Sequence, residues 1–372
     1  MHPSIRPTAS PINRSARFQS GSFAAPLFGS SLRRSGRWRA AIQLTCCLLL
    51  CAARPPALAA ESGGEERIYV ESFDGAYLGA TLNVPAGPGP HPAIMFIHGG
   101  LGGSGFVSLH RGSDQYVQAH LFSAGYAIFQ IDYRRFAFGE EELEDVVAAY
   151  RYLRKRTEID PARIGVIGGS HGGYLALMLA TRVEPAATVA FAGLADIRGY
   201  LYDGAQAVLP ALRADPTWKE KHYHGGKTIK EESVLMDQGR REPGQGGRTN
   251  VVKEVMTDMA ARLADDQALW ARNNPMDQYE HIRGPLLFVA GSKDRWAEPG
   301  QKLVNKLLSL GRTAEFSLHL GMTHGFYWGT IPEPDGNLPD EFYRALQRTT
   351  AFMHRWVKQR TSLPAQAKPV SP

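Results

Sequence analysis

The stretch that decides the fold is Ile164-Gly165-Val166-Ile167-Gly168-Gly169-Ser170-His171-Gly172-Gly173-Tyr174. An apolar run rich in β-branched residues leads into Gly-x-Ser-x-Gly, and helix-forming residues follow at 175–180. This order predicts a strand, a tight turn and a helix. Because Gly168 and Gly172 flank Ser170 where a sharp turn leaves no space for a Cβ atom, we expect an exposed serine at the end of the strand. The N–H groups of the first helical turn would point at anything bound to it.

Strand and helix patterns alternate on both sides of this turn. Two alternating runs, 67–73 and 77–84, are separated by Asp74-Gly75 and predict an antiparallel hairpin. Further strands are expected at residues 92–97, 126–133, 188–191, 285–290 and 314–320, and helices around residues 143–150 and at 301–310 and 341–358. The pattern predicts a mainly parallel, doubly wound sheet with helices on both faces.

The alternation stops between about residues 200 and 280. Residues 225–250 are rich in glycine and charge, and segments with helical spacing lie around them. We therefore expect a helical cap inserted at about 200–280 into a single domain, residues 60–361. Disorder of the glycine-rich part is the alternative. Residues 362–372 are expected to form a flexible tail.

The first 59 residues have the composition of a secretory leader. Arginines precede an apolar stretch at 40–53, and Ala57-Leu58-Ala59 offers a cleavage site. We expect a secreted or periplasmic protein cleaved near Ala59. A twin-arginine signal and lipidation are the less favoured alternatives. The apolar stretch is too short for a relaxed membrane span. It contains all three cysteines, Cys46, Cys47 and Cys51, so the mature chain would contain none.

Charge and motifs exclude several function classes. Eight of the 42 basic residues lie in the leader, which holds no acidic residue, so the rest of the chain carries 34 basic and 36 acidic residues. Because the chain after the leader is nearly neutral, its composition gives no sign of a basic surface that would bind nucleic acid. The glycines at 99–103 lack the helix and downstream acid of a dinucleotide site. His222 and His224 have no evident third metal ligand nearby. We expect no cofactor, no metal and no stable membrane span in the mature protein; the oligomeric state stays open.

Three polar residues each follow a predicted strand. Ser170, Asp294 and His324 occur in the chain order of nucleophile, acid and base. Carboxyl ends of parallel strands meet at one edge of a sheet, which predicts that the three lie together. A serine hydroxyl needs a general base, here His324, and Asp294 would orient the imidazole. The structural alternatives are a small residue in a glycine turn, a helix cap and a solvated loop histidine.

The tetrahedral intermediate of such a reaction needs fixed N–H donors. We expect them from the backbone of His171 and from Gly99 or Gly100. Four aromatic residues flank the two partner loops, and some of them could line a substrate pocket, with core packing as the equal alternative: Trp296, Phe326, Tyr327 and Trp328. A second set of polar side chains is expected to have structural roles: those of His98, Asp132, Tyr133 and Asp145.

The region from Pro92 to Lys358 resembles the α/β-hydrolase superfamily. Within that superfamily it resembles the catalytic domain of the prolyl oligopeptidase family. The matching stretches are Asp132-Tyr133-Arg134, Gly168-Gly169-Ser170-His171-Gly172-Gly173, Lys293-Asp294 and Thr323-His324-Gly325-Phe326. The resemblance implies cofactor-free serine hydrolysis of peptide or related acyl bonds in short peptides or small esters. Two departures stand out. Too few residues precede Pro92 for a β-propeller, and His98-Gly99-Gly100 is an esterase-like loop. Carboxylesterase activity and a non-catalytic binding protein are the alternatives.

Overall fold

The described part of the chain is built around a sheet of eight strands. The computed structural model describes residues 65–99, 114–134, 140–198, 214, 267–328 and 339–359. The strands are β1 (Glu66–Glu71), β2 (Tyr77–Asn83), β3 (His91–Ile97), β4 (Ala127–Ile131), β5 (Ile159–Gly169), β6 (Ala187–Phe191), β7 (Leu286–Gly291) and β8 (Ala314–His319). They are arranged in the order β1-β2-β4-β3-β5-β6-β7-β8. The pairs β1–β2 and β2–β4 are antiparallel, and all others are parallel.

Helices cover both faces of this sheet, as the sequence predicts. The helices are α1 (Asp114–Ser123), α2 (Glu140–Leu153), α3 (His171–Arg182), α4 (Gln267–Asn273), α5 (Ala297–Ser309) and α6 (Asp340–Met353). Short 3-10 turns occur at Tyr279–His281 and Phe326–Trp328, and a π turn at His354–Lys358 follows α6.

The pleat of the central strands separates two core clusters. Met95 of β3 packs in the cluster with Leu143 of α2 and Tyr174 of α3. Its neighbour Phe96 packs in the cluster with Leu121 of α1 and other side chains from α6. Because successive side chains of a strand point to opposite faces, α2 and α3 cover one face and α1 and α6 cover the other. A third cluster packs α5 against β7.

The antiparallel hairpin at the start of the sheet is confirmed, and the predicted strands are present with small shifts at their ends. Helix α5 begins at Ala297, four residues before the predicted start at Gln301. The reason is local: Ala297 N–H donates to the Asp294 carbonyl (3.1 Å), and Pro299 lies in the first turn, where a missing N–H costs nothing. Helix α6 ends at Met353, whereas the pattern predicts one helix to residue 358.

Helix α1 has no counterpart among the sequence predictions. Within its described side chains only Val117 and Leu121 are buried, while Tyr116 is 60% exposed, so its apolar spacing is weak. The leader, the tail and residues 199–213 and 215–266 of the predicted cap region lie outside the described residues. No helix in the described ranges is long and apolar enough to cross a membrane.

Candidate active site

The turn between β5 and α3 holds Ser170 in an unusual backbone conformation. Ser170 has φ 54° and ψ −116°, a region that non-glycine residues rarely adopt. Its N–H donates to the carbonyl of Phe191 in the neighbouring strand (2.8 Å), and its carbonyl accepts from Tyr174 N–H in the first turn of α3 (3.0 Å). Such a conformation costs about 1–3 kcal/mol and persists only where the surroundings enforce it.

The glycines beside Ser170 are required by close backbone contacts. A Cβ atom on Gly168 would overlap the carbonyl of Gly172. A Cβ atom on Gly172 would overlap the carbonyl oxygens of Ile97 and His98 at the end of β3. The expected lack of space at both positions is therefore confirmed, and the start of α3 lies directly against the end of β3.

Ser170, His324 and Asp294 form one hydrogen-bonded chain. His324 Nε2 lies 2.9 Å from Ser170 Oγ, and His324 Nδ1 lies 2.9 Å from Asp294 Oδ2. The Asp294 side chain is 1% exposed and that of His324 is 40% exposed. The orienting carboxylate is thus buried, while the imidazole is open to a substrate and to solvent.

Two strand-end loops hold Asp294 and His324 against each other. Lys293 N–H donates to the Met322 carbonyl (2.9 Å), and Gly321 N–H donates to Ser292 Oγ (2.8 Å). Asp294 has a second role, because its Oδ1 accepts from Trp296 N–H (3.0 Å) ahead of α5. The aspartate therefore serves both as turn residue and as partner of His324.

The predicted oxyanion donors come from two neighbouring segments. His171 is the first residue of α3. Gly99 follows His98 just after β3, and the His98 carbonyl lies against Gly172 in the first turn of α3. Gly100 lies outside the described residues. The ring of His98 stacks on that of Tyr133 (centroids 4.5 Å apart), and Tyr133 Oη donates to the His98 carbonyl (2.9 Å).

The predicted pocket residues occupy different environments. Phe326 is 1% exposed and belongs to the core cluster on the α1/α6 face, so it is not available to line a pocket. Trp296 is 6% exposed and packs in the opposite cluster. The structure therefore shows core packing, the alternative to a pocket, for Phe326 and Trp296. The side chain of Trp328 lies outside the described residues.

A cavity of about 20 Å³ adjoins the site, lined by Gly99, Gln118, Gly169 and Tyr327 among others. A cavity of this size holds about one water molecule and is far below the size of a substrate pocket. Tyr327, one of the aromatic residues that the sequence suggests for a pocket, is among the lining residues, although it is only 3% exposed.

A buried pair beside the nucleophile escaped sequence reasoning. Glu142 Oε2 lies 2.5 Å from His171 Nε2, with the two side chains 1% and 5% exposed. Burial raises the pKa of Glu142 above its ordinary value, while His171 opposes the shift. The only local signal was the acidic first turn of α2, which is common at helix N-termini on surfaces.

Asp145 and Tyr133 have the structural roles expected of them. Asp145 accepts from Ser72 Oγ (2.5 Å) and from Arg134 Nη2 (2.6 Å), and Arg134 also pairs with Asp74 (3.2 Å). This group ties the β1–β2 turn to α2 and to the end of β4. Asp132 is buried, with Oδ1 3.5 Å from His98 Nε2. In the part of the chain that the structure describes, no three His, Cys, Asp or Glu side chains group as a metal site. His222 and His224 lie outside that part.

Comparison with known proteins supports the fold. A family model described as BD-FAE matches residues 82–195. The carboxyl esterase 2 of the fungus Tuber melanosporum superposes with a TM-score of 0.55 at 18% identity, over 82% of this chain and 89% of that one. The protein has the α/β-hydrolase fold.

Sequence relatives of this α/β-hydrolase are named as peptidases. The uncharacterized peptidase YtmA of Bacillus subtilis is 27% identical over 273 residues, which cover 70% of this chain and 87% of that protein. The acylamino-acid-releasing enzyme 1 of Oryza sativa subsp. japonica is 33% identical over 97 residues, but the match spans only 12% of that protein.

Proposed function

We propose that the protein is a serine hydrolase that cleaves peptide or related acyl bonds through an acyl-enzyme. The observation that carries the proposal is the chain Ser170 Oγ, His324 Nε2, His324 Nδ1 and Asp294 Oδ2, with 2.9 Å at both hydrogen bonds. A strained serine at the start of a helix, joined to an imidazole that a buried carboxylate orients, is the arrangement that acyl transfer requires.

The chemistry follows from these contacts. His324 removes the proton from Ser170 Oγ as the oxygen attacks the substrate carbonyl carbon, and the negative charge moves to the carbonyl oxygen. The N–H groups of His171 and Gly99 bind that oxygen. When the intermediate collapses, His324 passes its proton to the leaving amine or alkoxide. A water molecule, deprotonated by His324, then releases the acyl group and restores Ser170.

The peptidase interpretation is supported by the relatives named as peptidases. The carboxylesterase alternative is supported by the His98-Gly99-Gly100 loop, which offers backbone donors to the oxyanion. Both substrate classes use one mechanism, so the residues of the triad do not distinguish them.

The substrate class is tested with p-nitrophenyl esters of increasing acyl length set against aminoacyl and N-acyl-peptide amides. Hydrolysis of the amides with kcat/KM comparable to that of the esters supports the peptidase, and turnover of short esters alone supports the carboxylesterase. S170A serves as the control. Activity that survives in S170A, or a folded wild-type protein that cleaves none of these compounds, contradicts the hydrolase and favours the binding protein.

We also propose that the protein is exported and cleaved near Ala59. The support is the leader alone, with its arginines, its apolar stretch at 40–53 and Ala57-Leu58-Ala59. Mass spectrometry of the N-terminus, on protein recovered from the periplasm or medium, should find a chain that begins at residue 60. A chain that retains residues 1–59 in that fraction contradicts the proposal.

A further inference from the structure

We propose that Glu142 is a positioning residue of the active site, which acts through the His171 ring on the backbone N–H that binds the oxyanion. The inference rests on the proposed hydrolase function and extends it to a residue of α2 that touches neither the substrate nor the triad. It concerns the rate of acyl transfer rather than the choice of substrate.

The first step is the contact between Glu142 and His171. Both side chains are buried, and the carboxylate oxygen lies 2.5 Å from His171 Nε2. The ring of His171 also lies between two tyrosine rings, with centroids 5.8 Å from Tyr133 and 5.5 Å from Tyr174. The rings limit its position, and the carboxylate sets its rotation by accepting from one ring nitrogen.

The second step is what the ring is attached to. His171 directly follows the nucleophile and begins α3, and in the proposed mechanism its backbone N–H donates to the oxyanion. Because the ring contacts the rings of Tyr133 and Tyr174, a reorientation that brought it into collision with them would be relieved in part by movement of Cβ and of the backbone at His171. Donors of this kind must lie within a few tenths of an ångström of their target to stabilise the transition state.

The third step is the link to the other half of the oxyanion site. Tyr133, which contacts the His171 ring, donates its hydroxyl to the carbonyl of His98 and stacks on the His98 ring. Gly99, the second donor, is the next residue. The Glu142 carboxylate therefore anchors one end of a row of contacting rings, His171, Tyr133 and His98, which connects the residue of the first donor to the residue before the second.

The energetics of Glu142 argue against a purely stabilising role. Burial raises the pKa of its carboxyl, because the charged form loses hydration on folding; His171 offsets part of that loss, and Arg134 contributes less. Asp145 adds repulsion. Apolar side chains in place of both Glu142 and His171 would therefore fold without this penalty.

The experiment compares Glu142→Met, Glu142→Gln, His171→Phe and the double variant E142M/H171F with wild type. Met keeps the volume of Glu but accepts no hydrogen bond, Gln keeps an acceptor, and Phe keeps the ring. The matched control is Glu144→Met, on the same helix, where the carboxylate pairs with Arg182 at 3.5 Å and is 31% exposed. Rates are measured with p-nitrophenyl acetate and expressed per site labelled by a fluorophosphonate at long incubation. Binding of an aryl trifluoromethyl ketone, whose adduct bears the oxyanion, is measured alongside.

The proposal expects E142M to lower kcat by about 10- to 100-fold, less than the loss of a whole oxyanion donor, with little change in KM. The dissociation constant of the trifluoromethyl ketone should rise by the same factor. E142Q should recover most of the rate, E144M should match wild type, and the double variant should be no slower than the slower single variant, because both changes break one pathway.

Three results would overturn the proposal: a kcat for E142M equal to that of E144M, E142Q no faster than E142M, or effects of E142M and H171F that multiply in the double variant. A lower melting temperature with an unchanged rate per labelled site would assign Glu142 to stability alone. If wild type is neither labelled nor active, the hydrolase proposal itself fails and the positioning role fails with it. A labelled and active wild type beside an unaffected E142M rejects only the positioning role.

Discussion

At Ser170 the protein accepts backbone strain in order to expose one hydroxyl. The residue lies at φ 54° between two glycines that cannot carry a Cβ atom. The strain is a property of the position rather than of the hydroxyl, so glycine should relieve it and alanine should not. We expect S170G to have a free energy of unfolding about 1 kcal/mol larger than S170A. Urea unfolding of the two inactive variants measures the difference, and equal stabilities would mean that the turn is unstrained.

Asp294 carries a prediction on rate at the same scale. D294N keeps an acceptor for Trp296 N–H but cannot hold the imidazole in the tautomer that accepts the serine proton. We expect kcat to fall on the order of 10⁴-fold with the fold intact. Steady-state kinetics beside a circular dichroism spectrum checks this. A loss smaller than tenfold in a folded variant would remove Asp294 from the triad.

At the scale of elements, Asn274 joins the segment after β6 to the segment after α4. This buried side chain accepts from Ile197 N–H (3.0 Å) and donates to Asp196 and Asp277 (3.1 Å each). Arg198 adds an ion pair to Asp277 (2.8 Å). The segment after β6 and the segment after α4 are therefore joined by hydrogen bonds and an ion pair.

Removal of the Asn274 hydrogen bonds should destabilise the protein. N274A leaves a buried N–H and two carboxylates without their amide partner, and we expect a loss of about 1–3 kcal/mol in the free energy of unfolding. Asn305→Ala is the control with little expected change, because this side chain on the surface of α5 bonds only to Gln301 among the described residues. Equal stabilities of the two variants in urea would show that the Asn274 hydrogen bonds contribute nothing to the free energy of unfolding.

The elements also show where sequence-based prediction works and where it stops. Gly168 and Gly172 predicted the turn because a tight turn leaves no space for a Cβ atom at either position, which is a local property of the backbone. Asp294 and His324 were predictable because each follows a buried apolar run, and such runs end at a common edge. The bond between Glu142 and His171 joins residues 29 positions apart through a tertiary contact, which no local spacing encodes. Phe326 was ambiguous because aromatic residues beside a site serve both pockets and cores.

At the scale of the whole molecule, pH should act on stability through the Arg134 group. Burial of Asp74 alone would raise its pKa, but the hydrogen bonds from Arg134 hold the pKa below its ordinary value of 3.8. Since the unfolded state then binds more protons than the folded state in this range, the contribution of Asp74 is present above pH 3.8 and is lost as the pH falls through the lower folded pKa.

The variant D74N lacks this titration. We expect the difference in melting temperature between wild type and D74N to shrink as the pH is lowered from 6 to below 3. Thermal unfolding of the two proteins across this range measures it. A difference that stays constant with pH would contradict the assignment.

The account as a whole depends on Ser170 as an activated nucleophile. The most direct test is the reaction of the folded wild-type protein with a fluorophosphonate, followed by digestion and mass spectrometry. The account predicts one adduct, on Ser170, which forms rapidly in wild type, is absent in S170A and forms far more slowly in H324A because the hydroxyl then lacks its base. A folded wild-type protein that takes up no label, or one labelled at another residue and equally in S170A, would contradict it.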